Sequence, residues 1–202
     1  LGFCDDYWWP MGRADGRVLQ KHPELKAVSL EWDVLDVPSG QEARVPEAFC
    51  VVSARLSEEG PGDNGARIRS STLKVVGSSE PFRWTAPEGT WRLYVFRKVH
   101  LPDLDGGNVA YLDRRLAKAY IDIAYEPYAA YFSDRLGRSI PGVFCDHEGA
   151  YGFKLAWSSD LEGTFHKKTG LDLKTWLPLL FVEDEEGRYV KIRWNWYDAV
   201  SD

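Results

Sequence analysis

Three polar residues at the end of a short apolar strand are the strongest candidates for chemistry in this sequence. The segment Ile140–Cys145 is predicted to be a strand, and it runs directly into Asp146, His147, Glu148 and Gly149. In an α/β barrel, catalytic groups sit at the carboxyl ends of strands, where the following loop opens to solvent. Two carboxylates and an imidazole in this position indicate catalysis, ion binding or capping of the next element.

Glu148 is the leading candidate for a glycosidase carboxyl group. Such an enzyme needs one carboxylic acid to protonate the leaving oxygen and a second carboxylate to activate water or to attack directly. Gly149 follows and leaves room for a ligand to approach. The alternative interpretation is that Glu148 caps a helix or pairs with an arginine.

The neighbours of Glu148 have supporting roles under the same hypothesis. Because side chains alternate along a strand, Asp146 and Glu148 can face one way and His147 the other. Asp146 could orient Glu148, bind a sugar hydroxyl or ligate a cation. His147 could hydrogen-bond a sugar hydroxyl, although an ordinary buried histidine is the commoner case.

A second acidic strand end lies near the start of the sequence. Asp5 and Asp6 end a predicted strand, and Trp8 and Trp9 follow closely. Carboxylates beside flat aromatic faces suit sugar hydroxyls and sugar rings. Oxygen ligands of this kind also suit calcium. The alternative is that both acids serve only in a turn or as helix caps.

The overall composition excludes some functions. The formal net charge of the 202 residues is -6, which offers no basic footprint for nucleic acid or for an anionic membrane. Hydrophobic residues make up 44%, enough for a packed core, and no run approaches the roughly 20 apolar residues of a membrane span. The nine Trp and ten Tyr residues fit either a carbohydrate site or large core side chains.

The order of elements predicts an α/β fold. Helical and strand patterns with polar loops after the strands favour a parallel sheet. We predict a partial (β/α)8 TIM barrel with a small antiparallel β excursion. Residues 1–40 would supply a strand end, a loop and a helix, residues 41–100 the β-rich excursion, and residues 101–202 further βα units. A complete barrel takes about 250 residues, so we expect a fragment of a longer catalytic domain.

Four local predictions can be compared with the structure. Pro23–Leu30 is predicted to be a helix, because proline is favoured in a first helical turn. Trp91–Phe96 has the composition of a strand. Glu183–Gly187 is interpreted as a solvated acidic turn, and Tyr189–Ser201 as a helix from its apolar spacing.

Two segments resemble glycoside hydrolase family 106, the α-L-rhamnosidases. The first is Asp5–Leu19, which contains Trp-Pro-Met-Gly at positions 9–12 and is similar to the family's strand-end motif. The second is Phe144–Gly152, which looks like the family's acidic strand tip, with similar short blocks downstream at 156–158, 170–173 and 177–179. Both segments occur in the family's order and spacing.

The resemblance implies a large, multi-domain bacterial enzyme with a catalytic (β/α)8 barrel. It implies hydrolysis of terminal α-L-rhamnosyl residues with inversion and, as in characterised relatives, a calcium ion but no organic cofactor. Glu148 would take the place of a catalytic or ion-binding glutamate. The sequence departs from the motif at Asp6, Met11 and Asp15, where the family has Glu, Ser and Gly.

Further expectations follow from the resemblance. The second catalytic carboxylate is expected beyond Asp202, so the isolated fragment would be inactive and would need the remainder of the same polypeptide as its partner. A carbohydrate is the expected substrate, and a periplasmic or secreted location is favoured over the cytoplasm. The alternatives are a non-catalytic carbohydrate-binding segment and another barrel glycosidase, such as a β-galactosidase-like enzyme.

Overall fold

Strands of ten residues or more dominate the middle of the chain. The structure is a computed structural model, and it describes residues 3–5, 12–62, 65–100, 107–145 and 155–201. The chain divides into two compact units. Unit 1 comprises Leu1–Ser29 and Val99–Ser158, and unit 2 comprises Leu30–Lys98 and Ser159–Asp202.

The described strands range from two to 13 residues in length. They are β1 Phe3–Asp5, β2 Val28–Val37, β3 Glu42–Val45, β4 Cys50–Gly62, β5 Gly65–Gly77, β6 Phe82–Thr85, β7 Trp91–His100, β8 Val143–Cys145 and β9 Ala156–Trp157. The α-helices are α1 Arg17–Lys21, α2 Arg115–Tyr120, α3 Glu126–Tyr131, α4 Leu161–Thr169, α5 Leu173–Trp176 and α6 Arg188–Val200. A π-helical turn, Ile121–Tyr125, joins α2 to α3, and 3₁₀ turns occupy Pro23–Leu25 and Leu177–Leu180.

Antiparallel pairing organises unit 2. Strands β4 and β5 pair antiparallel up to Gly62 and Gly65, and β4 also pairs antiparallel with β7, from Cys50 opposite Phe96 to Arg55 opposite Trp91. Strand β2 lies on the other side of β7. A second antiparallel pair, β3 with β6, forms its own small sheet.

The predicted partial (β/α)8 TIM barrel is therefore wrong. Among the described strands, β1 pairs in parallel with β8, whereas the pairs β2–β9, β3–β6, β4–β5 and β4–β7 are antiparallel. Strands linked by tight connections pair antiparallel, whereas parallel pairing needs a long crossover. The helix predicted at Pro23–Leu30 is wrong as well, because only a 3₁₀ turn forms there and Val28 already begins β2.

Each unit has its own hydrophobic core. In unit 2, Leu93 and Val95 of β7 face a cluster that also contains Val45 of β3 and Val51 of β4. Because side chains alternate along a strand, the fully buried Tyr94 and Phe96 lie on the opposite face of β7. There Phe181 contacts both rings, and it also stacks on Trp32 with 4.1 Å between ring centroids.

No described helix is long and apolar enough to cross a membrane. The longest, α6, has 13 residues, whereas a bilayer span takes about 20.

Candidate functional site

The parallel pair β1–β8 aligns the two acidic strand ends that the sequence analysis singled out. Phe3 lies opposite Val143, Cys4 opposite Phe144, and Asp5 opposite Cys145. Neighbouring strands lie about 4.8 Å apart. In the sequence, Asp5 continues into the first acidic motif and Cys145 into the second. Asp5 and Cys145, where the described part of each strand ends, are therefore neighbours in the sheet.

Two parts of unit 1 that lie between β1 and β8 in the sequence pack against each other. The core of unit 1 joins Val18 of α1 and Leu25 of the first 3₁₀ turn to Leu116 and Ala119 of α2. Backbone hydrogen bonds reinforce this contact: Ala27 N–H donates to the Asn108 carbonyl, and Ala110 N–H donates to the Leu25 carbonyl, both at 2.8 Å. The segments after β1 and before β8 are thus held together by packing and by backbone pairing.

The structure describes only one of the predicted site residues. Asp5 is the last residue of β1. The other predicted residues lie outside the described residues, and they are Asp6, Trp8, Trp9, Asp146, His147 and Glu148. The geometry therefore aligns the strands that lead into both motifs, and the roles of the side chains stay predictions.

The family resemblance implies a calcium ion. Within the described residues, no group of three or more His, Cys, Asp or Glu residues is arranged to hold a metal ion. Six of the seven predicted site residues lie outside those ranges, so the calcium ion stays a prediction.

The acidic segment Glu183–Gly187 differs from its predicted form. Glu183 and Asp184 are buried, with 7% and 3% of their surfaces exposed. The Glu183 carboxylate lies 3.5 Å from the Arg67 guanidinium, and Asp184 accepts a hydrogen bond of 2.9 Å from the Tyr189 N–H at the start of α6. These two acids thus hold β5 and α6 in place, and the prediction of a solvated turn is wrong for them.

Cys50 is a structural residue. Its side chain is fully buried in β4, and burial raises the pKa of the thiol to about 12. A thiol with this pKa stays protonated at neutral pH, whereas the nucleophile in cysteine chemistry is the thiolate.

A groove in unit 2 was missed by the sequence analysis. It has a volume of about 460 Å³ and is lined by residues from the end of α4, from α5 and from one side of α6. Trp176, Lys191 and Asn195 are the lining residues of most chemical interest. Lys191 and Asn195 are four residues apart on a helix, so their side chains lie on the same face. The spacing of Lys191 and Asn195 could have indicated a shared polar face from the sequence. Nothing in the sequence alone indicated that Trp176 lines the same groove.

No family model, curated protein or solved structure matches the chain. The similarity to the α-L-rhamnosidases therefore stays a prediction that rests on the two quoted motifs.

Proposed function

We propose that this chain carries part of a glycoside hydrolase site that cleaves terminal α-L-rhamnosyl residues with inversion. The observation that carries the proposal is the parallel register of β1 and β8, which aligns Asp5 with Cys145. The choice of rhamnose comes from the two motifs alone. A non-catalytic carbohydrate-binding segment is the principal alternative.

The register supports the proposal because it places the strand ends that precede the two acidic motifs side by side, and a glycosidase needs two carboxyl groups that flank the scissile bond. Inversion requires about 6.5–9.5 Å between them, which leaves room for one water molecule. One acidic motif follows each of two adjacent strand ends. Strands that were far apart or antiparallel would send the motifs to different edges, and that arrangement would count against a shared site.

In this proposal, Glu148 is the general acid that protonates the leaving oxygen. Asp146 and His147 would bind sugar hydroxyls or orient Glu148. Asp5 and Asp6 would contribute carboxylates from the neighbouring strand, and Trp8 with Trp9 would supply aromatic faces for the sugar ring.

The test is hydrolysis of two rhamnosides by the purified full-length polypeptide and by its Glu148→Gln variant. The variant should lose about 100-fold or more in kcat on a phenyl rhamnoside, because that leaving group needs a proton. The loss should be much smaller on a nitrophenyl rhamnoside, because nitrophenolate leaves without protonation. Glu88→Gln, an exposed glutamate of unit 2, is the matched control and should keep full activity.

Two results would decide against the general-acid role. Equal losses on both rhamnosides would show that Glu148 does not protonate the leaving group, and wild-type turnover in the variant would remove it from the chemistry. If the protein binds L-rhamnose but releases no product from either rhamnoside, the carbohydrate-binding alternative is favoured. For an active protein, proton NMR of the first product formed checks inversion.

A further inference from the structure

The groove in unit 2 brings together three side chains that make no partner contacts among the described residues. The Lys191 ammonium has no ion pair there, the Asn195 amide has no hydrogen-bond partner, and the Trp176 ring contacts no other aromatic ring. All three line the same groove of about 460 Å³, which is within the usual size of small-ligand sites, about 300–1,000 Å³. They supply a cation, an amide and a flat apolar surface.

The other cations of the groove are already neutralised. Lys168 Nζ lies 2.9 Å from the Asp198 carboxylate, and Arg188 Nη2 lies 2.6 Å from the Glu186 carboxylate. The uncompensated charge in the groove is therefore one positive charge, on Lys191. A ligand with a single negative charge would neutralise Lys191. A doubly charged phosphate would carry one charge in excess, and the nearby carboxylates of Asp198 and Glu186 would repel it.

The other residues that line the groove indicate the uncharged part of the ligand. Trp176 and Ile192 form an apolar surface that suits the C–H face of a pyranose ring. Asn195 carries both a donor and an acceptor, and so it can satisfy a sugar hydroxyl in either role. A simple aromatic carboxylate would use the tryptophan and the lysine but would leave the amide without a partner.

We propose that this groove binds a carboxylate-bearing sugar, with the ring against Trp176, the carboxylate at Lys191 and a hydroxyl at Asn195. This site is separate from the acidic strand ends, and nothing in it depends on Glu148. It would let the protein hold an acidic saccharide whether or not it hydrolyses rhamnosides.

The test is a titration of the full chain with methyl glucuronide. Binding is monitored through the NMR signals of the Trp176 indole N–H and the Asn195 side-chain amide. Methyl glucoside has the same ring without the carboxylate, and we expect it to bind about tenfold more weakly, because a charge-assisted hydrogen bond is lost. Inorganic phosphate and benzoate should shift these signals less than methyl glucuronide at equal concentration.

Variants test the individual contacts. Lys191→Gln should raise the Kd for methyl glucuronide about tenfold and leave the Kd for methyl glucoside unchanged. Lys167→Gln is the matched control, because Lys167 is an exposed lysine of α4 that does not line the groove. The Kd of this variant for methyl glucuronide should equal that of the wild type. Trp176→Ala should abolish binding of both sugars, and circular dichroism verifies its fold.

Three results would overturn the proposal. They are the absence of any shift with methyl glucuronide, equal binding of the glucuronide and the glucoside, and an unchanged glucuronide Kd in Lys191→Gln. The comparison of the two sugars uses the wild-type protein, and Lys191→Gln changes only an exposed side chain. Both tests therefore remain valid if Trp176→Ala fails to fold. Stronger binding of phosphate or benzoate would assign the groove to a different class of anion.

Discussion

The sheet of unit 2 and the strand pair of unit 1 differ in what holds them together. Strands β4 and β5 have 13 residues each and pair antiparallel, and the β7 residues Leu93 and Phe96 are fully buried. In contrast, β1 and β8 align only three residue pairs, and Val143 and Phe144 are 43% and 63% exposed. Parallel sheets are normally covered on both faces, so the exposure of Val143 and Phe144 in β8 is unusual for a strand in a parallel pair.

This difference separates stability from function. Burial of apolar side chains is the main source of folding free energy, and Leu93, Tyr94 and Phe96 of β7 are fully buried. In β8, Val143 and Phe144 contribute little burial. Substitutions in β7 should therefore act mainly on stability, and substitutions in β8 mainly on the alignment of the two acidic motifs.

The most direct test of this comparison is to replace one phenylalanine by alanine in each of the strands β7 and β8. Phe96→Ala should lower the free energy of unfolding by about 3–5 kcal/mol, because it leaves a cavity beside Phe181. Phe144→Ala should lower it by less than about 1 kcal/mol, because most of that ring is already in water. Urea denaturation measures both, with tryptophan fluorescence as the signal.

A loss from Phe144→Ala that approaches the loss from Phe96→Ala would contradict the comparison, because it would show that β8 carries core packing. Equal slopes of the two denaturation curves against urea are needed for the free energies to be compared. The hydrolysis assay of the proposed function adds a second readout, in which Phe144→Ala should have the larger effect.

Two glycines sharpen the comparison at the level of the backbone. A Cβ at Gly77, in β5, would lie 2.3 Å from the Phe82 ring, so Gly77→Ala should cost about 1–3 kcal/mol of stability through overpacking. A Cβ at Gly137, in unit 1, would meet no atom within 4 Å, but φ is +74° there. Gly137→Ala should therefore cost only about 1 kcal/mol, from backbone strain.

Gly77→Ala paired with Phe82→Leu separates the two mechanisms, because the smaller side chain makes room for the added methyl group. If the double variant recovers none of the stability that Gly77→Ala loses, overpacking against Phe82 is not the cause. No substitution of a neighbour should rescue Gly137→Ala, since the strain there is in the backbone itself.

Long regular elements were predictable from the sequence where their pattern decides the structure. The strand predicted at Trp91–Phe96 is part of β7, and the helix predicted at Tyr189–Ser201 corresponds to α6, Arg188–Val200. The residues Leu93–Phe96 of β7 are buried, so local pattern and tertiary packing agree there. In α6 the spacing of Val190, Trp194 and Tyr197 correctly indicates a helix, but these side chains are largely exposed. The buried face of α6 is formed by Ile192, Trp196 and Ala199 instead.

The predicted fold class was wrong because local sequence signals gave no information about which strands pair. Pro23 correctly marks a turn of helix, but the residues from Val28 onward pair in a sheet, and that pairing overrides the helical start. The burial of Glu183 and Asp184 was equally invisible, because it depends on Arg67 and Tyr189 at other positions in the sequence. The pairing of β1 with β8 and its register required the structure.

The smallest expected effect concerns two Asp–Arg pairs, one in each unit. Asp36 of β2 accepts two hydrogen bonds from Arg92 of β7, at 2.6 and 2.8 Å, and this contact lowers the pKa of Asp36. Asp113 has its pKa lowered by Arg115, which is only two residues away. A pair that is local in the sequence persists in part in the unfolded chain, so the folded state gains less from it.

Both pairs give the same sign of pH dependence. A carboxylate whose pKa is lower in the folded state stabilises the fold above its unfolded pKa, and this stabilisation is lost as the pH falls through the folded pKa. Asp36→Asn should therefore flatten the loss of stability below about pH 4 and cost less than about 1 kcal/mol at neutral pH, because the pair is half exposed to solvent. Asp113→Asn should flatten it less. Urea midpoints measured from pH 2 to 7 check the order, and the reverse order would show that the local pair of unit 1 carries more folding free energy than the cross-strand pair of unit 2.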